Sequence, residues 1–226
     1  MIKGAKHKNQ LQLRKRQAFE KGLQLATGLK AKKITPERFA KSYAKLRETA
    51  IFESMTGFFT NYFFEVELKR EISIARRYGT PLCLMVVDLD KLKQINDIYG
   101  HSVGNKAIVL LAKIVLQHIR EEDIPCRWGG DEFTIILPFT DTNEALLVAR
   151  RIKGLVDGSQ IEIDKKRISI SASIGIAKFS PLDSPNTLFK KADKAVYHVK
   201  QTQRGEIAVY GSEVRKGLKN KLTLSY

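Results

Sequence analysis

Cysteine and proline are scarce in this chain of 226 residues, with two of the first and six of the second. Cys83 and Cys126 stand singly in apolar, strand-like surroundings. That pattern points to buried reduced thiols rather than a disulfide or a metal pair. No Pro-rich or Gly/Ser-rich tract occurs, and no internal repeat, so neither a flexible linker nor a solenoid is expected. No apolar run approaches the length that spans a bilayer; the longest are short strands such as Pro81 to Val87. The N-terminus lacks the apolar core and cleavage site of a secretory signal, so the cytoplasm is the expected compartment.

Acidic residues are scarce in one region. Residues 1–52 hold fourteen Lys/Arg against three acids, +11 of the chain's +16, which leaves +5 for residues 53–226. The basic region reads as two helices. Gln10 to Leu29 carries a ragged apolar stripe at Leu11, Leu13, Phe19, Leu23 and Leu25, and Gly28 with Lys30-Ala31-Lys32-Lys33 marks a break. Thr35-Pro36-Glu37 then gives a capping hydroxyl, a proline at the first helical position and an acid in the first turn. Phe39, Tyr43, Leu46 and Ile51 follow at helical spacing. The expectation is a helical hairpin over residues 1–52 that pairs subunits or regulates the rest. The rival is electrostatic binding of nucleic acid or an anionic membrane. Few aromatics interleave the charge, which favours the hairpin.

Residues 53–210 alternate between helix and strand. Helices are expected over Phe64–Arg77, Gly104–Ile119, Asn143–Val156 and Leu188–Thr202. Strands are expected over Leu82–Asp90, on both sides of Gly129, and at Ile207–Tyr210. Ile168, Ile170, Ala172, Ile174 and Ile176 alternate with small residues and read as one strand. Hairpins mixed with helical crossovers imply an α+β sandwich, helices packed on a mainly antiparallel sheet. The basic tail, 211–226, is expected to fray.

The chemistry concentrates at Arg127-Trp128-Gly129-Gly130-Asp131-Glu132-Phe133. Apolar runs flank two glycines and two acids, which reads as strand, tight turn, strand. Glycine lets a ligand approach the backbone, and paired acids there suit a divalent cation beside a phosphate. Asp88 and Asp90 lie two apart at a strand end and so share a face. Lys93, Asn96, Asp97, Tyr99, His101 and Asn105 follow closely, dense enough in polar groups to read a base. Two carboxylate sources on neighbouring strands are what metal-dependent phosphoryl or nucleotidyl transfer needs.

These segments together resemble the GGDEF-domain diguanylate cyclase family over about residues 53–210. Met55-Thr56-Gly57-Phe58 resembles its opening segment. Asp88-Leu89-Asp90, Lys93, Ile95-Asn96-Asp97 and Tyr99-Gly100-His101 resemble its metal- and base-binding segment. Gly129-Gly130-Asp131-Glu132-Phe133 is the signature, and Ser173 to Ala177, Ala192-Asp193, Tyr197, Lys200 and Arg204 match the closing blocks. The resemblance implies a palm-like α/β nucleotidyl-cyclase fold. It implies condensation of two GTP into cyclic di-GMP with release of two pyrophosphates, across a homodimer. It implies two Mg²⁺ (or Mn²⁺) per site, with Asp88, the Leu89 carbonyl, Asp131 and Glu132 as ligands and Asp131 as proton acceptor. Lys93, Asn96, His101 and Asn105 would line the substrate, and Lys200 and Arg204 its phosphates. Arg120 and Asp123, five residues ahead of the glycines, resemble the family's inhibitory site for the product.

Two positions depart from the family. Thr60-Asn61-Tyr62 stands where Asn-Arg-Arg is usual, which removes two positive charges. Asn105 stands where an Asp usually accepts from guanine. Asn offers one acceptor and one donor, a pattern that suits adenine. The alternatives are therefore a synthase of relaxed or adenine-accepting base choice, or a non-catalytic module that binds GTP or cyclic di-GMP.

Overall fold

The computed structural model describes residues 50–163 and 166–211. The expected N-terminal hairpin, save Ala50 to Phe52, and nearly all of the tail lie outside the described residues. The elements run β1 (Phe59–Thr60), α1 (Asn61–Tyr78), β2 (Leu82–Leu89), α2 (Leu92–Tyr99), α3 (His101–His118), β3 (Ile124–Arg127), β4 (Glu132–Pro138), α4 (Thr142–Asp157), β5 (Gln160–Ile163), β6 (Lys166–Ser169), β7 (Ala172–Lys178), α5 (Pro185–Thr202) and β8 (Ile207–Val209).

Six strands form the main sheet in the order β1-β3-β4-β2-β7-β8. The four inner strands pair antiparallel, and the short edges β1 and β8 pair parallel. The mainly antiparallel sheet with surrounding helices agrees with the sequence reading. All eight residues of β2 are buried, because helices cover both faces of this central strand. Cys83, Met85, Val87 and Leu89 join the core with Leu111, Val115, Ala149 and Ile152 of α3 and α4. Leu82, Leu84 and Val86 join the opposite core with Phe64, Leu68 and Ile72 of α1 and Leu188, Ala192 and Val196 of α5. Period two places Asp88 and Asp90 on this second face, under α5. At roughly 25 cal/mol per Å² of apolar surface, these two layers are the main force holding the site's strands in register.

Local signals set the helix ends. The Thr60 hydroxyl accepts from the Phe63 N–H at 3.4 Å to start α1, and Gly79, at φ 68°, ends it in the left-handed conformation. Asp141 and Glu144 form a capping box at α4, and Ser184 and Thr187 another at α5, with Pro185 opening the helix.

Two expectations need correction, and one strand was not foreseen. The strand read from Ile168 to Ile176 is two strands. β6 pairs with β5 in a separate two-stranded sheet, and β7 belongs to the main one. The alternation runs through the break because Ile170 and Ala172 are both buried, and the Ser171 carbonyl, next in the β2–β7 register, accepts from the Asp90 N–H at 2.9 Å. The short connection after Asp90 holds the helix α2, and Gly100 at φ 84° turns it into α3, which starts three residues earlier than expected. Strand β1 is too short to leave a periodic signal.

Candidate active site

The signature segment is a turn between β3 and β4. Asp131 ends the turn and Glu132 opens β4. The Trp128 and Gly129 N–H groups both donate to the Glu132 carbonyl, at 2.9 and 3.2 Å. Arg127 holds the turn from inside. Its Nε donates to the Gly129 carbonyl at 3.2 Å and its Nη2 to the Gly130 carbonyl at 2.9 Å. Its Nη1 lies 3.3 Å from Glu53 Oε2. Burial pushes the Glu53 carboxyl up, but the Thr56 hydroxyl, the Met55 and Thr56 N–H groups and Arg127 outweigh it and hold it below its ordinary range.

Strand pairing brings the acids together. Asp88 is the direct register partner of Glu132, and the Leu89 N–H donates to the Asp131 carbonyl at 3.1 Å. Lys200, near the end of α5, reaches over the sheet to Asp88 Oδ2 at 2.5 Å. Asp88 is nevertheless pushed up to about 6. Burial is the largest cause, Lys200 opposes it by hydrogen bond and charge, and Asp131 and Glu132 add like-charge repulsion. Among the described residues, no three His, Cys, Asp or Glu side chains stand as a ready cluster for a metal ion. Lys200 brings a positive charge to Asp88. The donor set is all carboxylate and carbonyl oxygen around a buried, mutually repelling acid, and that chemistry fits a hard divalent cation.

The α2–α3 pair builds a second wall. Asn96 is half-buried, and its Oδ1 is buried with no hydrogen-bond partner. It packs against Gly104, where an added Cβ would fall 1.9 Å from that oxygen. Asn105, His101 and Lys93 are exposed on the same two helices. Arg204 is exposed in the loop after α5.

Arg120 and Asp123 form a turn of their own, away from the acids. Asp123 is 5% exposed, and its Oδ2 accepts from the Arg120 backbone N–H at 2.8 Å. Its Oδ1 is buried without a partner. Burial is the main cause that raises its pKa. The Arg120 guanidinium does not pair with Asp123; it turns to Glu144 at 3.9 Å. Arg151, from α4, donates to the His118 carbonyl, and its charge acts on Asp123. Sequence reasoning missed Arg151, which is 28 positions along the chain from Asp123 and joins it only through the α3–α4 packing. It also missed the roles of Glu53 and Arg127, which lie two residues ahead of the matched blocks at Met55 and Gly129.

A mainly antiparallel sheet with acids at the end of its central hairpin, a cation from the last helix and a polar helix pair alongside defines a palm-type nucleotidyl-cyclase domain. The family described as "Diguanylate cyclase, GGDEF domain" matches residues 50–206. The chain belongs to that family. It is 32% identical over 163 residues to the response regulator PleD of Caulobacter vibrioides, covering 71% of this chain and 36% of PleD. It is 34% identical over 157 residues to the diguanylate cyclase DosC of Escherichia coli, covering 69% of this chain and 34% of DosC. The chain thus spans about a third of the length of these curated relatives. Among solved structures, the coiled coil and GGDEF domain of DgcB from Caulobacter crescentus, in complex with c-di-GMP, superposes with a TM-score of 0.73 at 26% identity, over 76% of this chain and 92% of that one. A GGDEF-only variant of PA1120 from Pseudomonas aeruginosa gives a TM-score of 0.67 at 33% identity, over 70% of this chain and 94% of that one.

Proposed function

We propose that this chain is a diguanylate cyclase, joining two GTP into cyclic di-GMP with release of two pyrophosphates. The observation that carries the reading is the register of Asp88 with Glu132, with Asp131 beside them on the turn and Lys200 over Asp88. Asp88, the Leu89 carbonyl, Asp131 and Glu132 would hold Mg²⁺ or Mn²⁺. Such ions, when bound, polarise the α-phosphate and neutralise the leaving pyrophosphate.

The chain's own groups do the rest. Asn96 and Asn105 orient the base, with His101 and Lys93 beside it. Lys200 and Arg204 give charge-assisted bonds to the phosphates. The Asp131 carboxylate takes the proton of the ribose 3′-hydroxyl as its oxygen bonds to the α-phosphorus of the second GTP. The bond from that phosphorus to the β-bridging oxygen breaks, and pyrophosphate leaves. The reciprocal attack closes the ring, so two protomers face each other, each with one GTP. Product binds back at Arg120 and Asp123, with Arg151 adjoining. Asp123 Oδ1 is an acceptor suited to guanine N–H groups.

The test is direct. The protein is incubated with Mg²⁺ and GTP, ATP or both, and products are identified by mass spectrometry. Cyclic di-GMP from GTP, abolished in Asp131→Asn and Glu132→Gln, is the expected result. Asn105 carries a second outcome. An amide at this exposed position puts a donor towards guanine's two donors. A mixed or adenine-containing cyclic dinucleotide that disappears in Asn105→Asp would establish altered base choice. Nucleotide binding without any product would identify a non-catalytic module.

A further inference from the structure

The two aspartates at the end of β2 share a face but not a task. Asp88 looks into the acidic cluster and takes Lys200. Asp90 is 4% exposed, and serine hydroxyls meet both of its carboxylate oxygens. Ser171 Oγ donates to Oδ2 at 2.7 Å, and Ser173 Oγ donates to Oδ1 at 2.8 Å. A serine hydroxyl has one proton. Spending it on Asp90 leaves the Ser173 lone pairs as acceptors. The buried Gly205 N–H donates to one of them at 3.1 Å. Gly205 lies in the left-handed region at φ 74°, and a Cβ there would sit 3.5 Å from Ser171 Oγ and 3.7 Å from Asp90 Oδ2. Asp90, the two serines and Gly205 form one closed knot.

Arg204 is the residue before Gly205. On its other side, the Gln203 N–H donates to the Val199 carbonyl at 2.9 Å. Arg204 is therefore bracketed by two pinned amides, one tied to α5 and one tied through Ser173 to Asp90. Downstream, the Ile174 N–H donates to the Glu206 carbonyl at 2.9 Å and leads the chain into β8. Pinning both neighbours removes backbone freedom from the long Arg side chain before any ligand binds, and such preorganisation strengthens binding.

We propose that Asp90 is a positioning residue, not a metal ligand: its Oδ1, as acceptor, orients the Ser173 hydroxyl, which holds Gly205 and so sets Arg204 towards the nucleotide phosphates. The proposal rests on the reading of Arg204 as a phosphate contact. Asp88 holds Lys200 directly while Asp90 holds Arg204 at second hand, so one strand end places both cations.

Asp90→Ala strips a buried acceptor from two hydroxyls and endangers the fold, so Ser173→Ala carries the test, with melting temperature as the check on folding. In the full chain with GTP and Mg²⁺, Ser173→Ala is expected to raise KM for GTP about three- to tenfold, the effect of losing one hydrogen bond, with kcat within about twofold. Asp90→Asn keeps an acceptor for Ser173 and is expected to stay within about twofold of wild type. On an Arg204→Ala background, Ser173→Ala is expected to add less than about twofold, because the two act in series. The half-saturating Mg²⁺ concentration stays unchanged, and hydrogen exchange at Gly205 speeds up in Ser173→Ala.

Full multiplication of the two effects overturns the proposal. So does an Asp90→Asn variant as impaired as Ser173→Ala, or a shift in Mg²⁺ dependence, which would make Asp90 a metal ligand. If Arg204→Ala raises KM and Ser173→Ala does not, positioning alone fails. If Arg204→Ala has no effect, or the wild type turns over no nucleotide, the functional reading fails and the proposal with it.

Discussion

At Asp88, burial and charge oppose each other. The fold raises its carboxyl from the ordinary 3.8 to about 6. A group whose folded pKa lies above its unfolded one stabilises fully below the unfolded value, and that contribution is lost as pH rises through the folded one. Asp88 therefore costs the metal-free fold on the order of 3 kcal/mol above pH 6, regained on acidification towards pH 4. The same protonation competes with a cation. Mg²⁺ affinity is expected to weaken as pH falls through about 6, read by calorimetry at a series of pH values. Asp131→Asn removes one of the two like charges, so the Asp88 carboxyl is expected to titrate lower, which carbon NMR of the labelled carboxyl measures directly. An unmoved titration would mean that Asp131 does not face Asp88. The Arg120–Asp123 turn gives a second prediction at this scale. The Asp123 carboxylate is held by a backbone N–H, while the Arg120 guanidinium is half exposed and only loosely engaged with Glu144. Arg120→Ala is therefore expected to leave the melting temperature within about 2 °C. It is expected to raise the cyclic di-GMP concentration for half-inhibition more than tenfold, since bonds to a charged donor contribute about 1.5–3 kcal/mol.

At the scale of elements, two glycines show how packing reaches the site. Gly175 on β7 lies directly beneath α5: an added Cβ would fall 2.3 Å from the Ala192 carbonyl and 2.5 Å from the Val196 nitrogen. Both are backbone, so the helix itself must lift. Gly175→Ala is expected to cost about 1–3 kcal/mol in denaturant unfolding and to displace Lys200, which rides on that helix. Gly104 differs because its Cβ would meet the end of a side chain, Asn96 Oδ1, and a side chain can turn away. Gly104→Ala is expected to leave stability unchanged or raise it by up to about 1 kcal/mol from helix propensity. It should weaken GTP binding by displacing Asn96, as calorimetric titration would show. These contrasts also mark what the sequence made legible. The acid turn and the β2 strand stood out because glycine pairs and continuous apolar runs are local signals, and α5 was legible from Leu188 on, three residues after its true start at Pro185. The break between β6 and β7 was hidden, because it lies in which strand each one pairs with, β5 or β2, while the period of two runs on unbroken. Arg151 was hidden for the same reason: the α3–α4 packing alone sets it beside Asp123. The Asp90 knot falls between these cases, since Asp90 and Ser173 lie in matched segments but only the fold shows their bonds to Ser171 and Gly205.

At the scale of the whole molecule, one chain carries one set of Asp88, Asp131 and Glu132, while the proposed reaction joins two nucleotides by reciprocal attack. On that reading, control would act on how two domains meet, and Glu53 is where the preceding chain joins the signature turn. The chain arrives at Glu53, whose carboxylate holds the Met55 and Thr56 N–H groups at 3.0 Å each and the Thr56 hydroxyl at 2.7 Å. The same carboxylate pairs with Arg127, and Arg127 grips the Gly129 and Gly130 carbonyls. The entry point and the signature turn thus share one cation. Glu53→Ala is expected to loosen the turn and lower kcat more than it raises KM for GTP. Removal of residues 1–50 asks the larger question. A chain starting at Ile51 keeps both buried layers, from Phe58 through Val199, so it is expected to fold. Without the basic segment that we propose pairs the subunits, its encounter with a second copy becomes bimolecular and loses the effective concentration of a tether, which is millimolar for short linkers. Its specific activity should therefore fall in proportion to enzyme concentration in the nanomolar range, where the full chain stays constant. Fusion to an unrelated parallel dimer should restore it. A truncated chain that is as active as the full one at nanomolar concentration would show that residues 1–50 do not set the pairing and that the catalytic domains find each other unaided.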